Sequence, residues 1–272
     1  MTRSAMEKRR EFRRLHDAGC FVLPNPWDVG SAAVLASLGF KALASTSAGM
    51  AWSMGRPDGA VSLDETLIHL SALAHATDLP LNADFEKGFA DSPADVAANV
   101  ALAIDTGLSG LSIEDYPGRE GAALYDFPLA VERIVAAREA FARSGADVLL
   151  TARSEGFIRG APDLGETIRR LQAFAEAGAD CLYAPGLRDE AQIAVVVEAV
   201  APKPVNVLAN GMSVAKLAEL GVRRVSLGGA LAGVAYGALI RAARQIAGDG
   251  LFSELSGGAG GRVLNPMFQS AG

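Results

Sequence analysis

The segment 80–89 reads Pro-Leu-Asn-Ala-Asp-Phe-Glu-Lys-Gly-Phe, a short apolar run that ends in two carboxylates, Asp84 and Glu86, followed by Gly88. Residues two apart on a strand face the same side, so these carboxylates are expected to project together. Glu114 and Asp115 close a second apolar run, Gly-Leu-Ser-Ile, and Arg153 closes a third, Val-Leu-Leu-Thr-Ala. Oxygen donors at this density suit Mg2+, or Mn2+ in its place, which keeps several waters and takes one or two carboxylates plus substrate oxygens. Asp84, Glu86 and Glu114 are therefore the candidate metal ligands. Arg153 carries the planar fork that grips a carboxylate through two bonds, and is the candidate substrate clamp. An ion pair with Glu155 or Glu114 is its competing role. Zinc is disfavoured, because His16, His69 and His75 all fall on predicted helices, where surface positions are expected, and no Cys/His cluster exists. Schiff-base chemistry needs a desolvated lysine, and none of the five lysines sits late in a strand.

These residues need a scaffold that places strand ends side by side. A charged amphipathic helix over 4–18 leads to a strand at 20–24 and a helix at 29–38. A strand at 41–45 is followed by a long loop over 46–60 and a helix at 62–76, which Ser62 and Glu65 open as a capping box. Strands at 80–84, 110–114, 148–153, 181–184, 204–208 and 224–227 then alternate with helices, most of them closed by glycine. Eight short, almost wholly apolar strands alternating with helices predict an α/β fold, a (β/α)8 barrel in one domain over 1–272, with 249–272 a Gly-rich linker and tail. An open doubly wound sheet is the alternative, but no dinucleotide fingerprint opens the first unit. On a barrel the site lies at the C-terminal strand ends. Those positions hold Asn25, Asp28, Ser45, Thr46, Ser47, Tyr183, Asn206 and Asn210 besides the charged residues above.

Composition sets the outer limits. The 272 residues are 50% hydrophobic and 21% charged, with net charge −6, which excludes a basic nucleic-acid-binding face. No apolar run is long enough to span a bilayer, and two cysteines make no disulfide framework, consistent with a cytoplasmic protein.

In this order and at these strand ends, the motifs resemble the isocitrate lyase/phosphoenolpyruvate mutase superfamily, over about residues 20–248. Asn25-Pro-Trp27-Asp28 resembles its first strand end, Gly55-Arg-Pro-Asp58 its second loop, and Asp84-Phe-Glu86-Lys-Gly its Asp-x-Asp-x-Gly metal motif with Glu for the second Asp. Ser112-Ile-Glu114-Asp115, Thr151-Ala-Arg153 and Leu208-Ala-Asn210 resemble its strands four, five and seven. The resemblance implies a Mg2+-dependent lyase that breaks a C–C bond of a small 2-oxo or 2-hydroxy carboxylic acid through a metal-stabilised enolate. It also implies a homo-oligomer, dimer or tetramer, with the last helix exchanged between subunits. Asp58 becomes a candidate acid/base, and Trp27, Asp28, Ser45, Thr46, Ser47 and Asn210 candidate substrate contacts. The lyase branch carries Lys-Lys-Cys-Gly-His after strand four, whose cysteine is the general acid. Here the segment from Asp115 to Tyr125 has neither Cys nor His, which leaves Tyr116, Arg119 or Tyr125 as donor, with Tyr116 the catalytic candidate. Hydrolysis of an oxaloacetate- or phosphonopyruvate-like substrate, or a non-catalytic metabolite-binding barrel, are the alternative readings.

Overall fold

The computed structural model describes residues 3–119 and 121–269; Glu120 of the loop after strand four and the outermost ends of the chain lie outside them. In chain order the elements are α1 (Ala5–Leu15), β1 (Phe21–Leu23), α2 (Val29–Ser37), β2 (Leu43–Ala44), α3 (Ser47–Ser53), α4 (Leu63–Ala76) and β3 (Leu81–Asp84). They continue with α5 (Pro93–Ile104), β4 (Gly110–Glu114), α6 (Phe127–Ser144), β5 (Leu149–Arg153), α7 (Leu164–Glu176) and β6 (Cys181–Tyr183). The last are α8 (Glu190–Ala199), β7 (Val205–Leu208), α9 (Val214–Glu219), β8 (Arg224–Ser226), α10 (Ala230–Asp249), a 3-10 turn (Ser253–Gly257) and α11 (Gly261–Gln269).

All seven ladders are parallel, and the sheet runs β1-β8-β7-β6-β5-β4-β3-β2. The gap between β1 and β2 is bridged where Ala44 N–H donates to the Pro24 carbonyl at 3.0 Å. The sheet thus forms a nearly closed (β/α)8 barrel, as the alternating sequence pattern requires. Helices cover its outer face, and the main apolar core lies between them and the strands, with Leu81, Leu111, Leu150 and Leu182 facing it.

The floor of the barrel is sealed by α1. Ser4 and Glu7 form its capping box, and Phe12, fully buried, packs against Leu23, Ala42, Ala44, Leu149 and Cys181. Gly110 leaves room for that ring: a Cβ there would lie 2.5 Å from Phe12 and 2.7 Å from the Asn82 amide oxygen. His16 caps α1 and, contrary to the surface position expected for it, is buried beside Arg224. Its Nε2 lies 3.3 Å from Arg224 Nη1, so Nδ1–H donates to the Phe12 carbonyl at 2.8 Å. Burial and Arg224 push its pKa down to about 3.

Two segments depart from expectation. The loop after β2 contains α3, started by the Thr46 hydroxyl, which accepts from Gly49 N–H. Its Gly and small residues hid a helical turn that is held by tertiary contacts. The tail is also structured: α11 lies against α2 of the same chain, with Val263 and Phe268 still 52% and 45% exposed. No helix among the described residues is long and apolar enough to cross a membrane.

Candidate active site

The C-terminal ends of the strands open into a cavity of about 490 Å3. Register brings its charged residues together: Glu114 pairs with Arg153 across β4–β5, and Arg153 with Tyr183 across β5–β6. Arg153 is the hub. Nη1 donates to Asp84 Oδ1 at 2.7 Å and Nε to Glu155 Oε1 at 2.9 Å, while Nη2 lies 3.2 Å from Glu114 Oε2. Its guanidinium also sits 5.4 Å from the Tyr183 ring centre. Surrounded by carboxylates, Arg153 is held firmly protonated despite burial, and burial pushes the Tyr183 phenol up to about 12.

Asp84 ends β3 and is fixed from three sides. Ser45 Oγ accepts its backbone N–H at 2.8 Å, Ser47 N–H donates to Oδ2 at 3.0 Å, and Arg153 takes Oδ1. Glu86 does not reach the cavity by strand alternation, because the strand stops at Asp84. It sits in a turn with φ +47°, an unusual conformation for a residue with a side chain. That turn is pinned from below by buried Arg133, whose Nη1 donates to the Ala90 and Asp91 carbonyls, both at 2.7 Å, and whose Nη2 donates to the Lys87 carbonyl. The Glu86 carboxyl lines the cavity, and burial, with Asp84 and Asp58 nearby, pushes its pKa up to about 7. Glu114, buried beside Glu155, is likewise raised well above the carboxylate range.

Of the expected site residues, Ser45, Thr46, Ser47, Asp58, Asp84, Glu86, Glu114, Tyr116 and Arg153 line this cavity. Trp27, Asp28 and Asn210 do not. Asp28 caps α2 through Ser31, Trp27 packs beside Gly49, and Asn210 bonds the Leu187 carbonyl and the Met212 amide. Asp115 serves the scaffold: Oδ1 accepts Glu155 N–H at 2.8 Å and Oδ2 lies 3.3 Å from Arg170, and burial pushes its pKa up to about 6. Tyr116 donates its hydroxyl to the Arg119 carbonyl. Asn25, a rim residue without an assigned role, proves to be a clasp. Its amide oxygen accepts from Leu227 and Gly228 at 2.8 and 2.9 Å, and its Nδ2 donates to the Ser45 carbonyl at 2.8 Å.

A family model described as phosphoenolpyruvate phosphomutase matches residues 12–247. The chain belongs to this family. Within the isocitrate lyase/phosphoenolpyruvate mutase superfamily, it is similar to a solved candidate lyase/mutase from Burkholderia cenocepacia J2315. The two are 45% identical with TM-score 0.93, over 97% of this chain and 96% of the other. It is 30% identical, over 81% of its length and 78% of the relative's, to oxaloacetate decarboxylase from Pseudomonas savastanoi pv. phaseolicola. It also overlays oxaloacetate acetylhydrolase, solved with its product oxalate, at TM-score 0.86 and 27% identity over 98% and 96% of the two chains. The chain is accordingly an enzyme of this superfamily, of the carbon–carbon lyase and mutase type.

For a member of this family the donor set can be tested for a divalent cation. No cluster of three or more His, Cys, Asp or Glu converges as a ready cage among the described residues. Mg2+ does not need one, since one or two carboxylates and several waters suffice. Five carboxylates line the cavity (Asp58, Asp84, Glu86, Glu114, Glu155) against three arginines (Arg153, Arg159, Arg224), and the Glu86 carboxyl accepts no hydrogen bond among the described residues. Burial first, and then the neighbouring carboxylates, raise the pKa values of Glu86 and Glu114, and a divalent cation would relieve the like-charge part. The residues fit the ion.

Two cavity residues escaped sequence reasoning. Arg159 lies in the β5–α7 loop, six positions beyond the strand end, where no rim argument reaches. Arg224 rises from the start of β8, with Nε on Asn206 Oδ1 at 2.8 Å and Nη2 on Thr151 Oγ1 at 3.1 Å. It is a buried cation without a carboxylate partner among the described residues.

Proposed function

We propose that the protein cleaves a carbon–carbon bond of a small 2-oxo or 2-hydroxy carboxylic acid, using Mg2+, or Mn2+ in its place, held by Asp84, Glu86 and Glu114. The observation that carries this reading is the carboxylate-rich cavity at the ends of β3, β4 and β5, with the Glu86 carboxyl poised near neutrality and free of hydrogen bonds. A divalent cation there supplies a Lewis acid that lowers the cost of negative charge on the substrate's oxygens as the bond breaks. Arg153 holds Asp84, Glu114 and Glu155 in one orientation and keeps their charges from repelling. Ser45 and Ser47 fix Asp84 from the other side. Tyr116 and Asp58 supply oxygens at the cavity wall outside this cluster, and Tyr116 is the proton donor to the enolate carbon left by the cleavage, its hydroxyl turning from the Arg119 carbonyl it meets at rest. Taking these groups out of water strengthens each electrostatic contact on the bound acid.

Oxaloacetate is the substrate this reading favours, because two relatives act on it by name. Retro-cleavage yields pyruvate and CO2, whereas hydrolysis yields oxalate and acetate. The similarity to the acetylhydrolase keeps the hydrolytic outcome open, and analysis of the products separates the two.

Oxalate titration tests the site itself. Binding is expected to need Mg2+ and to fall at least tenfold in Glu86→Gln, the loss of one charged ligand contact. Oxalate binding that is indifferent to Mg2+, or absent with it, refutes the metal assignment.

A further inference from the structure

Arg153 cannot serve as a free clamp in the cavity as it stands, since its donors already meet three carboxylates at 2.7–3.2 Å. Arg224 lies on the floor, 2% exposed and bonded to Asn206 and Thr151. The remaining cation of the cavity wall is Arg159, and its side chain makes no hydrogen bond among the described residues. Its Nε lies 3.4 Å from Glu155 Oε2 and its Nη2 3.9 Å from Glu114 Oε1, longer than the 2.7–2.9 Å or so of a charge-assisted bond. Glu155 Oε2 in turn is a buried oxygen without a hydrogen-bond partner. The guanidinium is instead laid over the Tyr116 ring, 4.1 Å from its centre, and its side chain is 40% exposed. An arginine held in place by an aromatic face, with its donor fork open to the cavity, is arranged to receive a planar anion.

We infer that Arg159, a residue of the β5–α7 loop, is the group that recognises the distal carboxylate of the substrate. This rests on the proposed reading of the metal end of the cavity. Arg153 and Arg159 flank the same two glutamates, Glu114 and Glu155. A ligand whose reacting end lies at Asp84 and Glu86 therefore extends towards Arg159 along the wall those glutamates form. The Tyr116 ring keeps the arm extended, which lowers the entropy lost when the distal carboxylate is gripped.

The test compares two ligands in the presence of Mg2+ for the wild type and for Arg159→Gln. Oxalate fills the metal end alone, whereas 3,3-difluorooxaloacetate adds the distal carboxylate. The variant is expected to bind oxalate within about twofold of the wild type. It is expected to lose about tenfold to a hundredfold in affinity for the difluoro ligand, the effect of removing a charged hydrogen-bond pair. Arg159→Lys should recover part of that loss, since it restores the charge without the fork. Equal losses for both ligands would make Arg159 a structural residue, and no loss for either would make it irrelevant; both outcomes overturn the assignment. Failure of the wild type to bind oxalate overturns the reading of the metal end, and this inference with it.

Discussion

The most direct physical consequence of the acidic cavity is that Glu86→Gln should stabilise the metal-free protein at alkaline pH. The Glu86 carboxyl titrates at about 7 in the folded protein against an ordinary 4.5. A raised carboxylate pKa means that folding disfavours the ionised form. The penalty is fully present above about pH 7 and disappears as pH falls through the unfolded value near 4.5. At about 1.4 kcal/mol per pH unit the gap amounts to roughly 3 kcal/mol, and partial exposure trims it to roughly 2–3 kcal/mol. Glutamine keeps the shape and removes the charge.

The assay is thermal unfolding of wild type and variant in EDTA at pH 8 and at pH 4.5. The variant should melt roughly 5 °C higher at pH 8, taking about 2 °C per kcal/mol for a chain of this size, and level with the wild type at pH 4.5. The difference between the two proteins is the quantity to read, because His16 acts in the opposite sense. Its pKa of about 3 makes the neutral ring a folding requirement, so stability is lost as pH falls below 6.5 in both proteins alike. Mg2+ should narrow or reverse the order at pH 8, since the wild type, with all three carboxylates, then gains more of the ion's binding energy than the variant. A variant no more stable than the wild type at pH 8 in EDTA would refute the electrostatic account of this pocket.

Three further outcomes follow from the same geometry. Arg153→Ala should cost roughly 3–5 kcal/mol in urea unfolding, because it takes from Glu155, fully buried, and Glu114 their nearest counter-charge; retained stability would refute the role of Arg153 as the hub. Gly110→Ala should cost about 1–3 kcal/mol, since its Cβ meets Phe12 at 2.5 Å, and the loss should shrink in the double variant with Phe12→Leu. Asn25→Ala should cost about 2–4 kcal/mol by leaving the Leu227 and Gly228 amides and the Ser45 carbonyl unpaired; hydrogen exchange at Leu227 and Gly228 should then speed up, and unchanged exchange would count against the clasp.

The barrel was legible because its signals are local. Short apolar strands, helices closed by glycine and the capping box at Ser62 each declare themselves within a few residues. Polar residues gathered at one set of strand ends then point to the face that bears the site. Helix α3 was not legible, since Ser-Ala-Gly-Met-Ala-Trp-Ser carries no amphipathic period, and its stability comes from packing. The tail helix α11 was less legible because its glycine-rich lead-in reads as a linker, and the helix itself buries no residue.

Within the site, residue type was legible and the division of labour was not. Sequence order supplies Asp84, Glu86, Glu114 and Arg153 as a set, but only three-dimensional register shows that Arg153 meets three carboxylates at once. Once it is committed to them, the clamp role that its chemistry suggests passes to a cation with open donors, and Arg159 is the residue so placed. The same register accounts for the charge imbalance. Parallel strands three, four and five bring carboxylates at and just beyond their ends into one cavity, where an arginine hub balances part of the charge, while burial and then the neighbouring carboxylates raise Glu86 and Glu114. A pocket left in that condition favours whatever binds with positive charge. The cost of keeping those carboxylates ionised is then the measure of how strongly a divalent cation should be drawn to it.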